Sequence, residues 1–147
     1  MNRTLSVSLV AGVLLGAGAL SSRPPVAAQG TTSQRDGVYS AAQADRGETL
    51  YASNCAPCHN WDLTGTEIAP ALTGPSFGGR WTGKSLAQLF DYTQALMPQN
   101  SPGGLSRQQN ADILAFMFRS GNAPPGQTEL PIEPDRLSEL TYVARTP

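Results

Sequence analysis

The segment Cys55-Ala56-Pro57-Cys58-His59 contains both cysteines and the only histidine of the 147-residue chain. What such a cluster can be is first a matter of inventory. A structural zinc site takes four ligands, usually Cys and His, and two thiols with one imidazole fall short. A thioredoxin-like dithiol stands beside a βαβ unit, and no strand pattern of useful length flanks this segment. A disulfide across two intervening residues would staple almost nothing and would leave His59 without a purpose.

The spacing fits a different chemistry. C-x-x-C-H is the attachment signature of c-type haem. Each thiol adds to one vinyl group at the porphyrin edge, and three steps along a helical turn bring both sulfurs to that edge. The following imidazole then projects at the iron, for which neutral histidine is a common proximal ligand. Cys55 and Cys58 are thus expected to bind one covalent haem c, with His59 as an axial iron ligand. No second histidine can serve on the other side. Beyond the initiator, the thioethers are Met97 and Met117. Met117 sits in an apolar helical run and reads as core filling. Met97 leaves a helix in Ala-Leu-Met-Pro, where Pro98 stops the helix, and is the expected second axial ligand.

Outward from the motif, one repeated device places three helices. Ser40-x-x-Gln43, Ser85-x-x-Gln88 and Ser106-x-x-Gln109 each have the form of a capping box. The first helix should run from about Ala41 to Asn54, with Ala44, Gly47 and Tyr51 on one face. A helical glycine costs about 1 kcal/mol against alanine, so Gly47 signals a close approach by another element. The second helix carries Leu86, Leu89, Phe90 and Thr93 on one stripe. The third, about Arg107 to Ser120, is almost wholly apolar from Ile113 to Phe118 and should be clamped between neighbours. Gly121 stands where a C-terminal cap belongs. Some thirty Gly-, Pro- and Thr-rich residues separate the first two helices, an unusual length of loop for a compact domain unless it packs on a cofactor. The expected class is all-α, with three main helices and long loops wrapped around one haem.

The ends read differently. Residues 1–28 have the layout of a cleaved secretory signal peptide: Asn2 and Arg3, an apolar run from Leu5 to Leu20, then Val26-Ala27-Ala28. The run is short for a membrane span, so no stable anchor is expected after cleavage, and the expected location is the periplasm. Residues 29–37 are polar and aperiodic, a flexible leader. The domain proper is expected over 38–121. Residues 122–147, with Pro124, Pro125, Pro131 and Pro134, form an extended tail with a helical turn near Leu137 and Leu140, packing on the domain or on a partner. Beyond residue 28, eight basic side chains face eleven acidic ones, and Lys84 is the single lysine. That balance offers nothing to nucleic acid or anionic lipid.

Beyond these readings, the combination of Gly37-Val38-Tyr39, Arg46-Gly47, Leu50-Tyr51, CAPCH, APALTG and ALMP resembles class I cytochromes c. Together with Gly126–Pro131, Leu137 and Leu140, it is most similar to monohaem domains associated with bacterial quinoprotein (pyrroloquinoline quinone) dehydrogenases, over residues 36–140. The resemblance implies a cytochrome c fold. It implies that the Pro70 carbonyl accepts the His59 Nδ1 proton, that Leu72 packs on the ring, and that Gly47 and Tyr51 cross the last helix at Phe116. Arg80 and Trp81 become candidates for hydrogen bonds to the haem propionates, against the alternative of a surface arginine and a core tryptophan. The function implied is one-electron transfer, from a quinoprotein dehydrogenase to a terminal oxidase or another cytochrome. The chain would be a carrier rather than an enzyme. The alternatives are an integral electron-accepting subunit of a dehydrogenase complex, or a haem sensor or peroxidase with a labile sixth ligand.

Overall fold

Three helices start where a serine oxygen takes up a free amide. In the computed structural model, which describes residues 32–145, Ser40 Oγ accepts the Gln43 N–H at 3.1 Å and opens α1 (Ala41–Asn54). After it come α2 (Ala56–His59), α3 (Gly74–Trp81), α4 (Leu86–Leu96), α5 (Arg107–Ser120) and α6 (Pro134–Ser138). Both α4 and α5 open with a full capping box: the Ser85 N–H donates to Gln88 Oε1 and the Ser106 N–H to Gln109 Oε1, at 3.1 and 2.9 Å. The described residues contain only isolated bridges and no strand; the chain has the all-α cytochrome c fold.

The α1–α5 crossing is the centre of the molecule. Residues Asn110 to Phe118 of α5 are buried without a break. Gly47 explains how α1 comes so near: a Cβ there would stand 1.8 Å from the Asp112 carbonyl oxygen and 3.0 Å from Phe116 Cβ. One turn on, the Tyr51 and Phe116 rings meet at 5.1 Å. At the other side Arg46 grips the Asp112 carboxylate with two bonds of 3.0 Å and reaches Glu129 at 2.7 Å. The Asp112 side chain is 5% exposed and also accepts from Gln108 Nε2 at 2.9 Å, while Arg46 is 45% exposed, so removing Arg46 would weaken the crossing without leaving the carboxylate unpaired.

Gln43 does not complete its box. It is fully buried, and its amide turns to the tail, accepting the Leu130 N–H at 2.7 Å and donating to the Leu130 carbonyl at 3.4 Å. The tail runs along the domain: Tyr39 Oη donates to the Ala123 carbonyl at 2.5 Å, and Leu130 and Leu137 are buried. Residues 140–142 then pair with the α3–α4 connection, through Leu86 N–H to Leu140 and Gly83 N–H to Tyr142, at 2.8 and 2.9 Å.

Two local expectations change. Residues 32–36 are no loose leader: Ser33 and Gln34 are buried, and Gln34 exchanges bonds of 2.6 and 2.9 Å with Val143. Their partners lie over a hundred positions away, beyond any local pattern. Gly121 caps α5 as expected (φ −80°), and the left-handed residue is the next one, Asn122 (φ 59°). The N–H groups of Asn122 and Ala123 bond to the carbonyls of Arg119 and Phe118, both at 2.9 Å, a Schellman motif with asparagine in the left-handed place. The stretch expected to be loop also holds α3. The signal-peptide reading of residues 1–28 lies outside the described residues. Among those described, no helix is long and apolar enough to cross a membrane.

Candidate functional site

The quoted motif forms one turn of helix appended to α1. Cys55 closes α1 by donating its N–H to the Tyr51 carbonyl at 2.8 Å, and its own carbonyl then accepts the Cys58 and His59 amides at 3.1 and 2.9 Å. Positions three and four apart on a turn share a face. Accordingly Cys55, Cys58 and His59 all border one cleft, of about 500 Å³. Both thiols are free. Burial, with repulsion from Cys58, pushes the Cys55 thiol up to about 11, so it is protonated at neutral pH. A redox dithiol needs the opposite, a thiolate of lowered pKa.

His59 is buried, and its Nδ1 lies 2.7 Å from the Pro70 carbonyl oxygen. A carbonyl only accepts, so Nδ1 carries the proton and Nε2 keeps the lone pair a metal needs. The loop after His59 exists to hold that carbonyl. Leu63, buried and left-handed (φ 61°), is its peg, and the Leu72 N–H ties the far end back to the Leu63 carbonyl at 2.8 Å. Gly65 donates to the His59 carbonyl at 3.0 Å, and Thr66 Oγ1 to the Cys58 carbonyl at 2.8 Å. At φ +80° Gly65 leaves no room for a Cβ, which would meet Pro70 C at 2.6 Å. Tyr51 Oη donates to the Asn60 carbonyl at 2.7 Å; burial raises its phenol well above the ordinary value.

The other walls come from α3, α4 and α5. Phe77 and Trp81 stand on α3, Leu89 and Tyr92 on α4, Asn110 and Ile113 on α5, and Pro70 and Leu72 on the His59 side. Trp81 is buried, edge-on to Tyr92 at 5.4 Å. The exposed Arg80 holds its guanidinium 4.7 Å from the centre of the Tyr92 ring, with no carboxylate partner among the described residues. Met97, at the end of α4, borders the cleft; so does Met117 from the buried face of α5. All eight sequence-derived site residues are therefore brought to one cleft. Sequence reasoning missed α3 and the wall residues Phe77 and Tyr92. The signal for α3 was present, since Thr73-Gly74-Pro75 puts an N-cap residue before a proline in the first turn.

Among the described residues, no group of three or more His, Cys, Asp or Glu side chains could hold a metal unaided. The donor set is one tautomer-fixed imidazole, two thiols on one turn and a thioether, around an apolar cleft of cofactor size. It fits a metal that arrives inside a macrocycle.

Comparison with known proteins bears on this cleft. The family described as cytochrome C oxidase, cbb3-type, subunit III matches residues 42–117. A curated protein, the cytochrome c subunit of alcohol dehydrogenase (quinone) from Gluconobacter oxydans (strain 621H), is similar, at 34% identity over 124 residues, 73% of this chain and 26% of that protein. The chain thus spans about a quarter of that relative's length. Among solved structures, the sulfane dehydrogenase SoxCD from Paracoccus pantotrophus is similar, with a TM-score of 0.50 and 26% identity, covering 68% of this chain and 55% of that one.

Proposed function

The chain belongs to the cytochrome c family described as cytochrome C oxidase, cbb3-type, subunit III, and from that premise we propose that it carries one haem c in the cleft and relays single electrons from a dehydrogenase. Its role is electron transfer, and haem c is the cofactor its family implies. Cys55 and Cys58 would hold the porphyrin edge covalently, and His59, oriented by Pro70, and Met97 would be the protein ligands to its iron. When bound, the haem supplies an iron that alternates between ferrous and ferric states. With His59 and Met97 both ligating, no iron site would be left open to substrate, which supports an electron relay. A thioether ligand favours the reduced state and raises the potential. The apolar walls exclude water, and Arg80 supplies a positive charge at the rim for a propionate. The observation that carries this reading is the Cys55–His59 turn facing the cleft with His59 Nδ1 committed to Pro70.

The proposal extends to partner and place. The similarity to the cytochrome c subunit of an alcohol dehydrogenase (quinone) supports a dehydrogenase as donor; the donor proposed is a quinoprotein dehydrogenase, the acceptor a terminal oxidase or another cytochrome, and the place the periplasm. Because the chain spans only part of that relative, an integral-subunit role in such a complex is the second reading. Residues 38–121 form the electron-carrying domain and residues 122–145 its strap. Docking by a ring of lysines is ruled out by Lys84 standing alone. Beside the attachment turn, Trp61 and Ile68 are 71% and 81% exposed, with Asp62 and Glu67 between them. Apolar contact is thus expected to dominate association. Stopped-flow reduction of the matured protein by a quinoprotein dehydrogenase tests this. Expected is a rate that changes less than about threefold between low and high salt and falls in Trp61→Ala. A steep loss with salt, or no reduction, contradicts it.

A further inference from the structure

The segment that carries Met97 leaves α4 and returns at Ser106, the cap of α5. Its internal bonds are two short turns, Ser101 N–H to the Pro98 carbonyl and Gly104 N–H to the Ser101 carbonyl, both 2.9 Å. Neither turn reaches a helix. One side chain does. Gln94, in the last turn of α4, donates Nε2 to the Leu105 carbonyl at 2.6 Å, closing the neck of the loop across eleven positions. Its Oε1 is enclosed with no hydrogen-bond partner among the described residues, and a buried polar atom left that way calls for a reason. Flipping the amide would set that oxygen against the Leu105 carbonyl, so the one bond at the neck fixes the group.

A turn earlier a second amide joins the same helices: Asn110 Nδ2 donates to the Phe90 carbonyl at 3.0 Å. That bond lies between the helices and holds them whichever way the loop goes. Gln94 alone spans the loop, and Met97 lies inside the span.

We propose that Gln94 is a positioning residue for the sixth iron ligand: its bond to Leu105 keeps the Met97 loop shut, so the thioether stays at the iron and external ligands stay out. The inference rests on the reading of Met97 as an axial ligand. Shut, the loop leaves a pure electron relay. Open, it admits a small nitrogen donor where Met97 stood.

Imidazole, titrated into the ferric, haem-loaded full chain, reads the opening, because apparent affinity scales with the fraction of binding-competent molecules. Gln94→Leu removes the clamp, and Gln94→Glu keeps its length while losing the donor. Both are expected to bind imidazole about tenfold more tightly than the parent and to lose the weak far-red iron–sulfur band at lower imidazole. Tyr39→Phe serves as a stability control, since it gives up the Tyr39–Ala123 bond outside the loop. It should melt lower and bind imidazole as the parent does. Unchanged affinity in both Gln94 variants overturns the clamp, and so does an equal rise in Tyr39→Phe. Met97→Ala separates the two readings. It should lack the band and bind imidazole most tightly; a Met97→Ala protein that keeps the band ends the ligand assignment and the clamp with it. If Met97→Ala behaves as expected and the Gln94 variants match the parent, only the clamp falls.

Discussion

The α1–α5 crossing and the cleft behind α2 are lined by similar apolar side chains, yet only the crossing closes on protein. At the crossing, Gly47 is pressed against the Asp112 backbone, and Tyr51 and Arg46 lock either side. Around the cleft, Phe77, Trp81, Leu89 and Ile113 border a space of about 500 Å³, and much of its wall is loop rather than packed helix. The crossing is therefore the scaffold, held by protein contacts. The cleft is a half-core whose apolar surface is matched by the cofactor. Function sits in the half that the protein leaves to another molecule.

The hardest way to break that division is at the scaffold. Gly47→Val places carbon where the Asp112 carbonyl already stands, and neither helix backbone can yield. A loss of about 3 kcal/mol or more is expected, read by urea unfolding, with little folded protein recovered. A loss under about 1 kcal/mol would show the helices to be loosely packed. The next effect sharpens the contrast. In protein matured without haem, amide exchange should stay slow in α1 and α5 while residues 60–105 exchange with low protection, and haem loading should slow those by about tenfold or more. Equal protection in both halves would contradict the division.

The smallest effect lies at the clasp of the two ends. Asp36 accepts the Ser33 N–H and Oγ–H at 2.7 and 2.9 Å, which hold its carboxyl below the ordinary value of 3.8. A carboxyl depressed on folding stabilises fully above its unfolded value and loses that contribution as pH falls through its lower folded value. Asp36 is exposed, so solvent screening keeps the contribution small. Asp36→Asn should therefore lower stability slightly at pH 6 and match the parent near pH 2 in urea titrations. A larger gap at pH 2 than at pH 6 would reverse the sign.

How much of this was legible follows the range of each interaction. Ser40, Ser85 and Ser106 announced their helices because a cap is settled within three residues, and α1 and α5 fall at Ala41–Asn54 and Arg107–Ser120 as read. Gly47 was readable as a contact point because a glycine at that cost inside a helix needs a neighbour. Gln43 was misread as half of a box because its partner, Leu130, is 87 positions away. Ser33 and Gln34 looked loose for the same reason. In the site, Cys55, Cys58 and His59 are consecutive chemistry and were plain, and Pro70 came through family resemblance. Phe77 and Tyr92 join the cleft only through the packing of α3 on α4, which no local pattern carries.

The central claim is that Cys55 and Cys58 hold haem rather than each other. The direct measurement is the intact mass and absorption spectrum of the chain expressed with haem maturation machinery. The expected result is a chain heavier by one haem, with the spectrum of a doubly thioether-linked porphyrin, and loss of that added mass when both cysteines are replaced by alanine. A chain at its unmodified mass, with two free thiols or a Cys55–Cys58 bridge, would contradict it.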